Sequence, residues 1–241
     1  MAASTAMQTP NDATPDASEL VALTLRAIEL AKAAVAGAAD GLAKRSSADY
    51  SAVHECEQEL DRIDQEIDER VALAVTRVPA EQVRELLACL KCVTDLERIG
   101  DLISSFVTRA QAVGTRVETE DIHDLIRMAS VLEKMLVDAY DAFSHRDVNR
   151  AIAVLRADAV LDRLRNLIYI RHVEGTAAPE AVQVLFMAQA LERAGDHTKN
   201  VAEEVCHLVS GHSVRHVLRT NAKSDEQMYL EWLRGHQNSG R

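Results

Sequence analysis

The string Leu-Glu-Arg-x-Gly-Asp occurs twice, at residues 96–101 and 191–196. Each copy lies in a stretch opened by a proline, Pro79-Ala-Glu and Pro179-Glu-Ala. The stretches that precede them share an acid-x-x-Leu-Asp pattern, from Glu57 to Asp61 and from Asp158 to Asp162. A repeat of about a hundred residues is longer than solenoid periods and has the size of a duplicated domain. The chain is therefore expected to fold as two like halves packed together.

Helix is the only regular element the halves can use. Apolar residues recur at i, i+3, i+4 and i+7, and the segments between breaks run roughly 25 to 35 residues. Four prolines and nine glycines in 241 residues leave these segments uninterrupted, and aromatic content is only 3%. Breaks fall near Lys44 to Ser47, Arg77 to Pro79, Gly114-Thr115, Ser144 to Asp147, Gly175 to Pro179 and Gly211 to Ser213. Each carries a cap, a glycine, or a proline suited to a first helical turn. The expected fold is all-α: two pseudo-symmetric three-helix bundles, residues 18–114 and 115–211. Residues 1–17 read as a disordered lead-in, and residues 212–241 as an extension. In that extension Ser224-Asp-Glu-Gln227 forms a capping box before a short helix, residues 228–234, ended by Gly235.

The net charge of -11 disfavours nucleic acid, which calls for clustered cations, and suits metal ions or basic protein surfaces. No apolar stretch approaches the roughly 20 residues needed to span a bilayer, so no direct membrane insertion is expected. The N-terminus lacks the charged and apolar regions of a signal peptide. Four cysteines without secretory features suit reduced thiols and a cytoplasmic location. Cys89 and Cys92 form a CxxC, yet they continue the apolar stripe of Leu96, Ile99, Ile103 and Phe106 and read as small core residues. The histidines show no partner in the sequence and read mostly as surface groups.

Acids run beside the core stripes. In the second helix Leu60, Ile63, Ile67, Val71 and Ala74 form the stripe, and Glu57, Asp61, Asp64 and Asp68 follow in step on one face. Glu97 and Asp101 flank the stripe of the third helix. Glu192, Asp196 and Asn200 flank Leu191, Ala194, Val201, Val205 and Leu208 in the sixth. Like charges at i,i+4 destabilise a helix by roughly 0.2 to 0.5 kcal/mol per pair, so such rows invite a compensating cation. Arg62, Arg98 and Arg193 each follow a row acid, about 100° round the helix, and do not alternate within the row. Carboxylates from two antiparallel helices can instead converge on Mg, Mn, Fe or Ca, with His197 or Asn200 extending the site. Gly100 and Gly195 stand mid-helix, where glycine costs about 1 kcal/mol against alanine and usually marks a close approach.

The doubled motif, Thr94-Asp-Leu-Glu-Arg-Ile-Gly-Asp101 and the run from Leu191 to Val205, resembles the paired motifs of the PhoU family. The helix-two string Glu57-x-x-Leu-Asp-x-Ile-Asp-x-x-Ile-Asp68 resembles the family pattern too, and the likeness covers about Ser18 to Gly211. It implies a homodimer or larger oligomer that keeps the phosphate regulon silent when phosphate is plentiful. Such a protein acts between the phosphate ABC transporter, through its ATPase, and a membrane sensor histidine kinase, with no catalysis of its own. It also implies multinuclear sites for divalent or ferric ions, drawn from Fe, Zn, Mn or Mg. Carried onto this chain, the first site takes Glu97 and Asp101 with Asp61, Asp64 and Asp68. The second takes Glu192, Asp196 and Asn200 with Asp158 and Asp162. Leu102 and Ser105 stand where the family often has His and Asn, and Arg165 and Tyr169 replace the acids matching Asp64 and Asp68.

Two other functions fit parts of the pattern. Glu120-x-x-His123 and Glu204-x-x-His207 have the spacing of di-iron carboxylate enzymes. Their places in the repeat put them at opposite ends of the bundle. A helical adaptor whose acid rows meet only water or basic partners is the other alternative.

Overall fold

The computed structural model describes residues 17–174 and 179–211. Six helices account for them: α1 Ala17–Lys44, α2 Ser47–Ala74, α3 Ala80–Val113, α4 Thr119–His145, α5 Val148–Glu174 and α6 Pro179–Ser210. A single 3-10 turn, Gly114–Arg116, joins α3 to the second half, and no strand occurs among the described residues. Residues 1–16 of the expected lead-in and the whole C-terminal extension, residues 212–241 with its expected short helix, lie outside them.

The chain breaks where local chemistry stops a helix. Ser46 caps α2, its hydroxyl accepting from the Asp49 N–H at 3.3 Å. Arg146 ends α4 in the left-handed region at φ 54°, and Asp147 then caps α5 by accepting from the Asn149 N–H at 2.8 Å. Gly211, at φ 77°, closes α6 by donating its N–H to the His207 carbonyl at 2.8 Å. Glycine holds that conformation without a Cβ penalty.

In each half the three helices pack on one another, and the halves meet through α3 against α6 and α1 against α4. A single apolar core runs through both. All five stripe residues of α2, and Cys89, Cys92, Leu96, Ile99, Ile103 and Phe106 of α3, are buried in it. The CxxC is thus a pair of core thiols, and burial pushes both thiols up. In α6 Leu191, Ala194, Val201 and Val205 are buried, while Leu208 is half-buried.

The repeat is visible in side-chain detail. A Cβ on Gly100 would stand 2.9 Å from Leu60 Cδ1, and one on Gly195 would stand 2.4 Å from Leu161 Cδ1. The same leucine of the acid-x-x-Leu-Asp pattern presses on the same glycine of Leu-Glu-Arg-x-Gly-Asp in each half. Both motif glycines therefore serve the close approach of the acid-bearing helix.

The α3 and α6 crossing is likewise paired. Lys91 of α3 donates to Glu204 of α6 at 3.1 Å. Counted from the shared motif, the matching positions are Phe186 and Arg109, and there the Arg109 guanidinium lies over the Phe186 ring, 4.4 Å from its centroid. An ion pair at one end of the crossing corresponds to a cation–π contact at the other.

Candidate functional site

In the first half, the glycine contact brings α2 and α3 together where their acid rows run. Glu57 Cα lies 3.6 Å from the place of a Gly100 Cβ. Glu57 and Asp61, one turn apart on α2, face Asp101 on α3, and one carboxylate oxygen from each lies within 4.8 Å of the others. Oxygens bound to one hard cation at about 2.0 to 2.4 Å are separated by no more than about 4.8 Å, so the triad has a spacing compatible with an oxygen-ligand site. Glu57 stands in the acid row read from the sequence but outside the ligand set carried over from the family. Its offset of four from Asp61 was the available signal.

The remaining predicted residues surround the triad. Glu97 lies one turn before Asp101 and is half-buried. Asp64 accepts from the Thr94 hydroxyl at 3.2 Å, and Asp68 is exposed further along α2. Burial pushes the Glu57 carboxyl above its ordinary range, with Asp61 and Asp101 adding to it and His54 opposing. Asp61 is raised by burial, then by Asp101 and Asp64. Burial also raises Glu97, and Asp101 adds to that rise while Arg98 opposes it. These carboxylates repel one another in a partly desolvated groove, a state that a bound cation relieves.

Arginines meet this row differently from the sequence expectation. Arg98 sits on the rim and touches both motif acids, Glu97 at 3.2 Å and Asp101 at 3.4 Å. Its side chain is long enough to cross the roughly 100° that separates it from Glu97 and the roughly 60° that separates it from Asp101. Arg62 instead turns away to Glu59 and Glu66.

The second half places the corresponding residues in another electrostatic setting. Asp158 is buried and accepts from Lys199 Nζ at 2.8 Å. Glu192, also buried, takes a contact at 3.4 Å from Arg165 and a hydrogen bond from Gln189. Asp162 and Asp196 are exposed beside them. Burial raises Asp196 and Asp158 adds to the rise, while Lys199 opposes it. Asn200 joins neither Asp158 nor Asp162 by a hydrogen bond. It donates to Asp95 on α3 at 2.9 Å, and His197 Nδ1 lies 2.7 Å from the same oxygen. The predicted second set is thus divided, with Asp158, Asp162, Glu192 and Asp196 along α5 and α6 and Asn200 at the crossing between the halves.

Histidines prove better partnered than the sequence suggests. His197 has Asp95, His172 Nε2 lies 3.0 Å from Asp121, and His54 Nδ1 lies 3.0 Å from the Ser104 hydroxyl. Each partner is far off in sequence and reaches its histidine only through helix packing. Of the two ExxH pairs, Glu120 is engaged by Arg171 at 2.7 Å, and Glu204 lies between Lys91 at 3.1 Å and His207 at 3.5 Å.

Comparison with known proteins agrees with this architecture. The PhoU domain matches twice, at residues 24–110 and 125–205, one copy in each half. A phosphate-specific transport system accessory protein PhoU homolog from Pseudomonas aeruginosa is 33% identical over 181 residues, covering 72% of this chain and 75% of that protein. PhoU homolog 1 from Thermotoga maritima is 30% identical over 175 residues, covering 69% of this chain and 75% of its own length. The crystal structure of PhoU from Pseudomonas aeruginosa superposes with a TM-score of 0.75 at 27% identity, over 81% of this chain and 97% of that one. PhoU from Streptococcus pneumoniae shares the fold, with a TM-score of 0.74 at 20% identity over 82% of this chain and 96% of that one. With both copies of the domain matched and relatives at this identity, the chain belongs to the PhoU family.

Proposed function

We propose that this protein is a metal-binding, non-enzymatic regulator of phosphate uptake. It acts by contact with the phosphate ABC transporter, through the ATPase, and with the sensor histidine kinase of the phosphate regulon. The transport role rests on the family, whose relatives are named accessory proteins of the phosphate-specific transport system. The observation that carries the metal part is the convergence of Glu57, Asp61 and Asp101. A carboxylate-only set of this kind suits a hard ion such as Mg, Mn or ferric iron better than zinc, which favours nitrogen and sulfur ligands. Glu57, Asp61 and Asp101 would hold the ion, with Glu97 and Asp64 available to widen the site. The bound charge would neutralise the row and fix α2 against α3. In this reading the protein works as a homodimer in the cytoplasm, and none of the described helices is long and apolar enough to cross a membrane.

The second row favours a metal-free reading for its own half, because Lys199 and Arg165 already meet Asp158 and Glu192. Metal content of protein purified without chelator tests the proposal. Wild type should carry ions that the double variant Asp61→Asn/Asp101→Asn lacks, and both should bind the transporter ATPase or the kinase in pull-downs with different affinity. Equal metal in both proteins rejects the site, and no association with either partner rejects the regulatory role.

A further inference from the structure

The second half carries a surface that its counterpart lacks. Tyr169, Val182 and Phe186 are each about half exposed, at 50%, 48% and 50%. With Leu185, Gln189 and Arg165 they line one groove of about 310 Å³ between α5 and α6. In the first half the matching positions are Asp68, Leu87, Lys91, Leu90, Thr94 and Asp64. There an apolar pair is surrounded by charge, with Lys91 engaged by Glu204 and Asp64 by Thr94. The fold therefore does not require an apolar groove at this place. Exposed apolar area forfeits the stabilisation that burial would recover. Moreover, Arg109 stacks on the Phe186 ring and donates to Gln183 at 3.0 Å, which fixes the ring within the open groove. The Arg165 Nε is buried without a hydrogen-bond partner.

We propose that the groove is the docking site of the chain's own C-terminal segment, residues 224–235. Its sequence, Ser-Asp-Glu-Gln-Met-Tyr-Leu-Glu-Trp-Leu-Arg-Gly, spaces Tyr229, Trp232 and Leu233 at i, i+3 and i+4. These side chains match the apolar floor of Val182, Leu185 and Phe186. Asp225, Glu226 and Glu231 supply carboxylates for Arg165, whose charge distinguishes this groove from the acidic one in the first half. The tether is long enough. From Phe186 to Gly211 helix α6 rises about 37 Å, and residues 212–228 can span up to about 56 Å. Attachment within one chain also gives the segment an effective concentration on the order of millimolar. Docked, it covers Phe186 and Val182.

Trp232 is the only tryptophan, so its emission reports the segment directly in the full chain. We expect blue-shifted emission that acrylamide quenches poorly, independent of protein concentration. Phe186→Ser should shift it to the red and restore quenching, and Arg165→Ala should do so in part. Phe186 is half exposed, so the variant should keep its helical circular dichroism, which is measured alongside. Emission typical of water in the wild type overturns the proposal. Protection unaffected by Phe186→Ser places the segment elsewhere, and protection lost on dilution assigns it to a second copy; either result also overturns it.

Discussion

Lys199 Nζ donates to Asp158 Oδ2 at 2.8 Å, whereas the matching position of α3 is Ser104, whose hydroxyl lies 3.0 Å from His54 Nδ1. The two acid rows of this duplicated protein therefore differ: the second has a built-in lysine where the first has a serine. In the second half a lysine is built in, and burial of Asp158 makes that lysine matter for folding. Replacing Lys199 with methionine keeps most of the apolar stem and leaves the acid unpaired. Exposed pairs contribute about 0 to 1 kcal/mol and loss of one partner in a buried pair costs about 3 to 5. Asp158 is nearly buried but Lys199 is one-third exposed, so the expected loss is about 2 kcal/mol, read from the urea midpoint. An unchanged midpoint would show that Asp158 is satisfied by other means.

The first row should respond to ions instead. An ion that binds only the folded state adds about 2.7 kcal/mol at a hundred times its Kd. Manganese or magnesium should raise the melting temperature of chelator-stripped wild type. Asp61→Asn/Asp101→Asn should remove that rise, and Asp162→Asn should leave it in place. Equal rises in all three proteins would move the ion away from Glu57, Asp61 and Asp101.

How far the sequence foretold these sites depends on whether a feature lies within one helix or between two. The stripes of α2 and α3 and the breaks at Ser46 and Asp147 are local and follow from periodicity and capping. Partners across helices are not local. Lys199 stands between His197 and Asn200 in the sequence, yet it meets α5 while they meet Asp95 on α3. About 100° of rotation per residue is enough to send neighbours to different helices, and the sequence alone does not say where those helices lie. Glu57 shows the same limit from the other side. Its place in the row was plain, but its convergence with Asp101 needed the contact of Leu60 with Gly100.

Acid titration offers a separate check on the first row. Glu57, Asp61 and Glu97 all have folded-state pKa values raised above the ordinary carboxylate range, chiefly by burial. The folded protein then binds more protons than the unfolded chain, and stability falls as pH rises. Their favourable contribution is complete below about pH 4, where both states are protonated, and disappears above the raised values. In ion-free buffer, this site should make wild type less stable at pH 7 than at pH 5, relative to Asp61→Asn/Asp101→Asn. Saturating manganese should cancel the difference. Parallel pH profiles for the two proteins would show that the acids do not repel one another in the folded state.

Gly195 gives the most direct test of the duplicated helix contact. In an open helix, glycine to alanine should stabilise by about 1 kcal/mol. Here the new methyl would stand 2.4 Å from Cδ1 of Leu161, which is fully buried and has little room to turn. Overpacking of this kind typically costs about 1 to 3 kcal/mol, so Gly195→Ala should lower stability by about 1 to 2 kcal/mol. Gly100→Ala meets Leu60 at 2.9 Å and should cost less. In the double variant Gly195→Ala/Leu161→Ala the clash is gone, so the glycine substitution should become neutral or favourable. A double-mutant cycle by urea denaturation measures that change of sign. Additive losses would mean that the leucine yields freely, and that the repeated glycine is kept for some purpose other than the approach of the acid-bearing helix.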